Sequence, residues 1–326
     1  MPSLIDQLDQ ALERSRSTTA AQSLGISELI RGALRETGSY AHYPVGMSEP
    51  SYVTRKEPAV VGSFRMTDVF PAPTGELVRQ LDIGSSHRTA GNIYTIASAV
   101  FNSSRVLQAG ARLVPIKDAP APVQRDGVTA FYRRPAEFKV VTAPAMSVVT
   151  DGADVTVSPL PVASASIDFP DAPSHAISFK LSRRERKDND EADTEYIVAR
   201  ALTLGLARLC DAVVLNAIVV AAPAPFSLAA AAARGLRFGE LAAIAGRLAT
   251  GATVAQDGTL RVAGIRAELT DVVDESVVAC WSRIGVACED ECRVIVRRTN
   301  TNGDMEITMF TNLAAMLPTA DYWLAA

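Results

Sequence analysis

Cysteine and histidine are the residues best suited to metal binding and nucleophilic chemistry, and this chain holds few of either. It has four cysteines and three histidines. The last three cysteines are spaced C-x7-C-x3-C, without the paired C-x2-C knuckles of structural zinc sites. Cys280 alternates with Val278 and Ser282 as residues of a strand do, which favours a buried thiol. We therefore predict no metal site. The residues considered are Cys210, Cys280, Cys288, Cys292, His42, His87 and His175.

Two acidic clusters are further candidates for chemistry. Asp271, Asp274 and Glu275 lie close together in the sequence, and such carboxylates can hold a divalent cation. A solvated loop end before a strand explains the same residues, and we favour that interpretation. The same interpretation applies to the acidic residues 289–291.

Common catalytic motifs are missing from the sequence. It contains no G-x-x-x-x-G-K-[ST] phosphate loop, no G-x-G-x-x-G after a strand, no G-x-S-x-G elbow and no H-E-x-x-H. Residues 84–87 place serines beside His87, but no acid partner is evident, and His42 and His87 are better explained as polar loop residues. We predict no catalytic residue and no cofactor. An enzyme whose site is scattered over several loops remains an alternative.

Length and composition indicate a globular protein of one large domain or two smaller ones. The chain has 326 residues, of which 48% are hydrophobic and 21% charged. Its formal net charge of −4 argues against a protein that coats nucleic acid. The uncharged stretch 212–233 raises the question of a membrane span, but Pro223 and Pro225 favour a buried helix end followed by a loop. We expect no secretory signal, no membrane partner and a soluble chain made inside the cell.

The strongest structural signal is a long helix in the middle of the chain. Apolar residues recur at three- and four-residue spacing and share one helical face: Val198, Leu202, Leu206, Leu209 and Val213. The opposite side is predicted to carry Arg200, Thr203, Ala207, Arg208 and Asp211. At 1.5 Å per residue, a helix over residues 190–218 is a rod of about 43 Å. A helix of this length needs partners along most of it, so it is a scaffold element.

A block of charge precedes this helix. Residues 183–187 are mostly basic, and five carboxylates follow at once within residues 188–195. Asp188, Asn189 and Asp190 are natural N-caps. A basic patch for nucleic acid is not normally neutralised in this way. Two interpretations stay open: a dipolar surface that pairs with a copy of itself, and solvent-exposed charge without a partner.

Local patterns on the N-terminal side predict an arm and then scattered strands. Short helices are expected within residues 3–12 and 24–35. Residues 39–73 are predicted to form an extended arm or irregular loop rather than a core element. Such an arm must lie against the rest of the chain or a neighbouring subunit. Residues 92–114 favour a helix and then a strand. Strands are expected at residues 128–134, 137–141, 147–150, 155–157, 163–169 and 176–181, a scatter that favours a projecting hairpin over a compact sandwich.

Beyond the long helix the sequence predicts a mixed α/β region. One further helix is expected at residues 238–248. Strands are expected at residues 260–265, 277–281, 285–287, 292–298 and 305–310, with a hairpin turn at residues 300–304.

This order of elements resembles that of the major capsid proteins of tailed double-stranded DNA phages, whose Hong Kong-ninety-seven-type fold is shared with encapsulins. The resemblance covers roughly residues 90–326 and lies in arrangement more than in motif. Residues 104–116 look like the lead-in to the extended loop, and residues 150–182 look like the loop's return and the strand entering the spine helix. The long helix matches the spine helix, and residues 281–324 look like the terminal strands.

The resemblance implies an α+β fold with five segments. These are an N-terminal arm with short helices (1–75), a lead-in to the core (76–114), an extended loop hairpin with return strands (115–182), the spine helix (183–220) and a mixed α/β axial and peripheral region with terminal strands (221–326). The hairpin is expected to project between about residues 115 and 155.

The resemblance also implies a structural function without enzymatic activity: a major capsid protein that self-assembles into the icosahedral head around the double-stranded DNA of a tailed phage. The expected partners are copies of itself in hexamers and pentamers, reached through the N-terminal arm and extended loop. Packaged DNA is expected to be bound only non-specifically, and scaffold, portal and decoration proteins are further candidates. The expected location is the virion capsid, after assembly in the host cytoplasm. An encapsulin, a gene-transfer-particle shell and a tail or connector component are the alternatives.

Some members of this family crosslink their subunits through a loop lysine and a distant asparagine. Lys117 or Lys139 could supply the lysine, and Asn300, Asn302 or Asn312 the asparagine. Nothing in the sequence favours such a crosslink here.

Overall fold

The computed structural model describes residues 28–29, 32, 40–42, 51–53, 60–72, 94–116, 122–125, 128–131, 135–168 (without 145, 153 and 156), 173–300 and 303–325. The helices are, in chain order, α1 (Ile96–Ser103), α2 (Arg105–Gln108), α3 (Arg183–Asp188), α4 (Glu191–Val220) and α5 (Leu228–Ala233), with 3-10 turns at Phe238–Glu240 and Trp281–Arg283.

The strands surround these helices in sequence. They are β1 (Tyr40–His42), β2 (Ser51–Val53), β3 (Val60–Arg65), β4 (Arg112–Ile116), β5 (Pro122–Arg125), β6 (Val128–Phe131), β7 (Ala136–Val141), β8 (Val162–Ile167), β9 (Ser174–Leu181), β10 (Ala242–Ala245), β11 (Ala252–Val254), β12 (Leu260–Val262), β13 (Ile265–Leu269), β14 (Val277–Ala279), β15 (Gly285–Glu289), β16 (Glu291–Arg298), β17 (Met305–Met316) and β18 (Tyr322–Leu324). One long helix and several sheets confirm the predicted α+β class.

The long helix α4 spans nearly the residues predicted for it. The side opposite its apolar face differs from the prediction, because polar residues there are buried. Val198, Leu202 and Leu206 are buried as expected. Thr203 and Asp211, predicted to lie opposite the apolar face, are also buried, at 1% and 5% exposure. The helix is therefore covered on more than one side, and Asp211 must find its partners inside the protein.

The charged block forms a separate helix, α3, rather than the first turns of α4. Ser182 caps it: its hydroxyl accepts a hydrogen bond from the Glu185 N–H, and the Glu185 carboxylate accepts one from the Ser182 N–H. The break falls at Asn189, whose backbone is extended. The Asp190 carbonyl then accepts a hydrogen bond of 2.9 Å from the Thr194 N–H at the start of α4.

Several local predictions were wrong. Residues 238–248 were predicted as a helix, but they form a 3-10 turn and the strand β10, which pairs with β13 and β14. Residues 260–265 were predicted as one strand, but β12 and β13 form a tight hairpin there, with positive φ at Ala263 and Gly264. Residues 147–150 and 155–157 contain no strand in their described part. Pairing across the sheet overrides local propensity in the first case.

The predicted helix at residues 3–12 lies outside the described residues. Of the one at 24–35, Glu28, Leu29 and Gly32 are described, and all three are helical. The part of the predicted arm at β3 lies against the rest of the chain, because β3 pairs with β16 along six residues. For these residues the prediction of a loop rather than a core element was wrong.

Two compact units divide the chain, and the first contains the described parts of residues 1–96 together with 176–202 and 291–311. In it, β16 pairs antiparallel with β3 on one side and with the first part of β17 on the other, and β9 also pairs with β17. Its core includes the Phe70 ring, which meets the rings of Tyr94 and Tyr196 edge-on at centroid distances of 5.6 Å.

The second unit contains residues 97–175, 203–290 and 312–326. Its larger sheet has the strand order β11-β12-β13-β10-β14-β18, with β10 parallel to β13 and antiparallel to β14. One face of this sheet buries a cluster that includes Ile265, Val278 and Trp323. In the same unit, β15 pairs antiparallel with residues 313–316 of β17 and parallel with β4.

Candidate assembly surfaces

Among the residues that the structure describes, the most exposed large apolar side chains belong to the hairpin of β7 and β8. The two strands pair antiparallel from Ala136↔Ile167 to Val141↔Val162, and they form a two-stranded sheet of their own. Since strand side chains alternate, Phe138 and Val140 point to one face, where both are only 8% exposed. They pack there with Ala287, Ala314 and Met316 of β15 and β17. The base of the hairpin is thus fixed by a small hydrophobic core.

Beyond residue 141 this support ends. The Thr142 N–H donates to the Pro161 carbonyl at 2.9 Å, and ladder pairing stops there. We name residues 142–161 the hairpin tip. Within its described part, Met146 and Val148 are fully exposed, Val157 is 95% exposed and Leu160 is 80% exposed.

We expected the projecting segment at about residues 115–155, but the hairpin spans residues 136–167, and β5 with β6 forms a separate ribbon before it.

The hairpin tip has a composition that favours contact with another protein surface. Its charged residues are Asp151 and Asp154, and the remainder is largely valine, alanine, proline, threonine and serine. Burying a large apolar side chain stabilises a complex by roughly 1.5–3 kcal/mol relative to leaving it in water. Exposed apolar residues that lie next to one another mark interaction sites more often than singly scattered ones do. The tip therefore has the character of one half of an interface.

The position of α4 in the second unit is fixed by a buried carboxylate. The Ser104 hydroxyl donates a hydrogen bond of 2.6 Å to Asp211 Oδ1. The N–H groups of Arg105 and Val106 donate to the same carboxylate at 3.1 and 2.9 Å. Asp211 thus satisfies the free N–H groups at the start of α2. Burial raises the pKa of this carboxyl above its usual value, and the hydrogen bond from Ser104 opposes that rise.

Among the described residues, α4 is the one helix that meets the length and hydropathy criteria for a membrane-spanning helix. In the structure, 44% of its most apolar stretch is buried. Core helices of soluble proteins meet the same criteria, so α4 is weak evidence for a membrane.

Around the turn that follows β16, several basic side chains of the first unit gather. Lys180 Nζ lies 2.7 Å from Asp304 Oδ2, and the Arg183 N–H donates to Asp304 Oδ1 at 2.9 Å. Arg186 Nη2 donates to the Gly303 carbonyl at 2.8 Å. The hydrogen bond from Lys180, followed by that from Arg183, holds the pKa of Asp304 far below its usual range. This carboxylate therefore stays charged at all physiological pH values.

Two of the acidic residues considered for metal binding, Asp271 and Asp274, pair with arginines. Asp271 lies 2.7 Å from Arg208, and Asp274 lies 2.7 Å from Arg247. Within the part of the chain that the structure describes, no three His, Cys, Asp or Glu side chains form a group that could hold a metal.

Near the Arg208–Asp271 pair, the second unit has an open cavity of about 670 Å³. The residues that line this cavity include Arg105, Leu204, Arg208, Arg247 and Asp271.

The four cysteines are buried, and none of them forms a disulfide bond. Burial raises the pKa of the Cys280 thiol, which makes it a poorer nucleophile at neutral pH. His87 and Lys117 lie outside the described residues. Lys139 is described and pairs with Glu137 at 3.0 Å. Asn300 donates to Asp304 at 2.9 Å, so its amide is engaged in the hairpin turn.

Sequence reasoning missed Asp211 as a buried anchor and the hairpin tip as a continuous exposed surface. The signal for the tip was present, because residues 142–161 combine valines with prolines and only two charges. The role of Asp211 had no such signal, since its partners are more than 100 residues away in the chain.

Comparison with known proteins gives no match to a protein-family model and none to a curated protein. Solved structures do match. The mature capsid of bacteriophage PhiM1 is 11% identical, with 75% of this chain and 91% of that chain covered and a TM-score of 0.40. The capsid of the empty GTA particle is 12% identical, with 78% and 99% covered and a TM-score of 0.41. The satellite phage P4 procapsid that includes the size determination (Sid) protein is 11% identical, with 71% and 97% covered and a TM-score of 0.41.

These solved structures belong to the class of protein that the order of elements resembles, the capsid shell.

Proposed function

We propose that this chain is the major capsid protein of a tailed phage, with a Hong Kong-ninety-seven-type fold, and that copies of it assemble into the icosahedral head around double-stranded DNA. The single observation that supports this most is the hairpin of β7 and β8. It has an anchored base, and its tip exposes Met146, Val148 and Val157 almost completely. Exposure of these apolar side chains to water is unfavourable in free energy. Contact with a neighbouring subunit buries the side chains and removes this unfavourable exposure.

Each segment has a role in this proposal. Helix α4 is the rigid spine, fixed by Asp211. The segment 1–75 is an arm toward neighbours, although β3 within it contributes a strand to the chain's own sheet. The hairpin tip lies on an adjacent subunit in a hexamer or pentamer. The net charge of −4 suits a shell that holds DNA only non-specifically. Assembly takes place in the host cytoplasm, and the chain has a structural role without catalysis and without a membrane partner.

The test is electron microscopy and size-exclusion chromatography of the purified full-length protein and one tip variant. Wild type is expected to give closed particles, or hexamers and pentamers. The variant M146S/V148S/V157S is expected to remain folded but to shift to smaller species, because each substitution removes roughly 1–2 kcal/mol of apolar burial from the contact. V254S is the matched control, since Val254 is 72% exposed but lies on β11, away from the hairpin in sequence.

The outcomes separate the alternatives. A wild type that stays monomeric or dimeric, even with crowding agents, contradicts the shell and favours an enzyme with a scattered site. Open rings without closed particles indicate a tail or connector component. Closed shells that assemble equally well from the tip variant show that the hairpin is not the contact. Shells that take up a protein cargo instead of DNA indicate an encapsulin.

A further inference from the structure

The open cavity of the second unit has a partly apolar lining. Its volume of about 670 Å³ lies within the range of roughly 300–1,000 Å³ that is usual for pockets that bury a ligand. Leu204 of α4 and Leu269 of β13 line it, and they are 43% and 56% exposed. Ala249 and Val272 line it as well. Leucine side chains that meet water in a concave site favour an apolar occupant.

One wall of this cavity is held in place by backbone hydrogen bonds. The Arg247 N–H donates to the Val273 carbonyl at 2.9 Å. The Ala249 N–H donates to the Gly246 carbonyl at 2.8 Å. The wall is therefore formed before any occupant arrives, and binding there needs little further ordering of the chain.

Two arginines of the lining keep N–H donors for a further carboxylate. Arg208 Nη2 lies 2.7 Å from Asp271 Oδ2, and Arg247 Nε donates to Asp274 Oδ1 at 2.7 Å. Each contact uses one nitrogen of a guanidinium group that carries several N–H donors. Both arginine side chains are more than half exposed. A second carboxylate can therefore bind to either guanidinium beside the first.

The hairpin tip, residues 142–161, has a composition that matches this cavity. Its charged residues are Asp151 and Asp154, both exposed, and it contains no basic residue. Its large apolar side chains include Met146 and Val148, which are fully exposed. The tip thus combines apolar side chains with carboxylates, whereas the cavity combines leucines with arginines.

We propose that this cavity receives the hairpin tip of a second copy of this chain. The apolar side chains of the tip then cover Leu204 and Leu269, and its carboxylates bind Arg208 and Arg247. The inference rests on the proposed function, because it names the surface that receives the tip during assembly. Tip and cavity are different surfaces of one chain, so the contact is heterologous, and its repetition closes a ring.

The described contacts favour a second copy over two other occupants. The tip does not fill the cavity of its own chain, since Met146 and Val148 are fully exposed. Nucleic acid is a poorer match, because a phosphate backbone does not bury leucine side chains and is repelled by Asp271 in the same lining.

The first test alters the tip and the cavity separately. Leu269→Asp places a carboxylate in the apolar lining, and D151K/D154K reverses the charge of the tip. Both change exposed side chains, so both variants are expected to fold, as circular dichroism will show. Each is expected to raise the protein concentration needed for assembly about tenfold or more, because like charges then meet in the contact.

Leu228→Asp is the matched control for Leu269→Asp. Leu228 is 61% exposed and lies on α5 of the same unit, outside the lining of the cavity. Its variant is expected to assemble like wild type.

The second test reverses the charge on both sides of the contact. R208E/R247E is expected to impair assembly as D151K/D154K does. A chain with all four substitutions restores opposite charges in every copy and is expected to assemble near the wild-type concentration. An equimolar mixture of the two double variants is expected to form mixed hexamers, in which the two chains alternate. Recovery in the chain with four substitutions without recovery in the mixture would place the contact within one chain and overturn the inference.

The remaining outcomes are equally decisive. A wild type that assembles while L269D and R208E/R247E assemble just as well overturns the inference and leaves the proposed function standing. A wild type that stays monomeric overturns both. If R208E/R247E assembles normally but loses binding to a fluorescent double-stranded DNA oligonucleotide that wild type binds, the arginines form a phosphate site instead. If L228D impairs assembly as strongly as L269D, the effect is one of surface charge in general, and the cavity has no specific role.

Discussion

Asp211, in the C-terminal half of the long helix α4, accepts a 2.6 Å hydrogen bond from the Ser104 hydroxyl at the start of α2. The same carboxylate accepts hydrogen bonds from the backbone N–H groups of Arg105 and Val106. A buried side chain of one helix therefore caps another helix that is more than 100 residues away in sequence. This contact links the lead-in segment to the helix that we propose as the spine.

The first prediction concerns the strength of this contact. Asp211→Ala leaves the two backbone N–H groups and the Ser104 hydroxyl without their acceptor in a buried site. We expect a loss of about 3 kcal/mol in the free energy of unfolding, since buried donors lose charged hydrogen bonds. Chemical denaturation followed by circular dichroism measures it. Asp257→Ala is the control, because Asp257 is a loop carboxylate with only local partners. Equal stability of D211A and wild type would contradict the role of Asp211.

The second prediction concerns pH. Burial raises the pKa of Asp211 in the folded protein above its ordinary value of about 3.9. The folded state then binds a proton more readily than the unfolded state, so the contribution of Asp211 to stability is greatest below that ordinary value. It falls as pH rises through the folded-state pKa. Asp211→Asn cannot titrate, and we expect wild type to lose stability relative to D211N as pH rises from that ordinary value through the raised folded-state pKa. A constant difference across this range would contradict the prediction.

The sequence predicted the elements that depend on local pattern and missed those that depend on distant partners. Helix α4 follows from the spacing of Val198, Leu202 and Leu206, and the β16–β17 hairpin follows from its turn residues. Asp211 was assigned to the side opposite the apolar face because periodicity separates polar from apolar residues and does not identify the hydrogen-bond donors of a buried carboxylate. Residues 242–245 are alanines and isoleucine, which suit a helix, but two neighbouring strands take up their backbone groups.

The hairpin of β7 and β8 shows the same limit. Its strands were predicted within a few residues, because Phe138 and Val140 alternate with polar residues. Its bounds as a projecting unit were predicted too early in the chain. They depend on where Phe138 and Val140 find the surface of β15 and β17, and no local pattern records that surface.

The third prediction uses two glycines that differ in their surroundings. A Cβ atom at Gly246 would lie 2.6 Å from Asp274 C and from Val273 O, which are backbone atoms. The main chain there cannot move aside without breaking hydrogen bonds such as Arg247 N–H to Val273 O. Gly246→Ala is expected to cost about 3 kcal/mol. Gly239→Ala is the matched control, since a Cβ at Gly239 meets nothing within 4 Å, and we expect a change within about 0.5 kcal/mol. Thermal unfolding of both variants compares them directly.

The last prediction separates the base of the hairpin from its tip. Phe138 is 8% exposed and packs with Ala287 and Met316, so Phe138→Ala is expected to remove about 3 kcal/mol from the anchoring of β7 and β8. Hydrogen exchange of the hairpin amides is the measurement, because it reports local opening independently of assembly. We expect exchange about 100-fold faster in F138A. Val141→Ala, on the outward face at 71% exposure, is the control and should leave exchange unchanged. An unchanged exchange rate in F138A would mean that the hairpin is held by something other than this core.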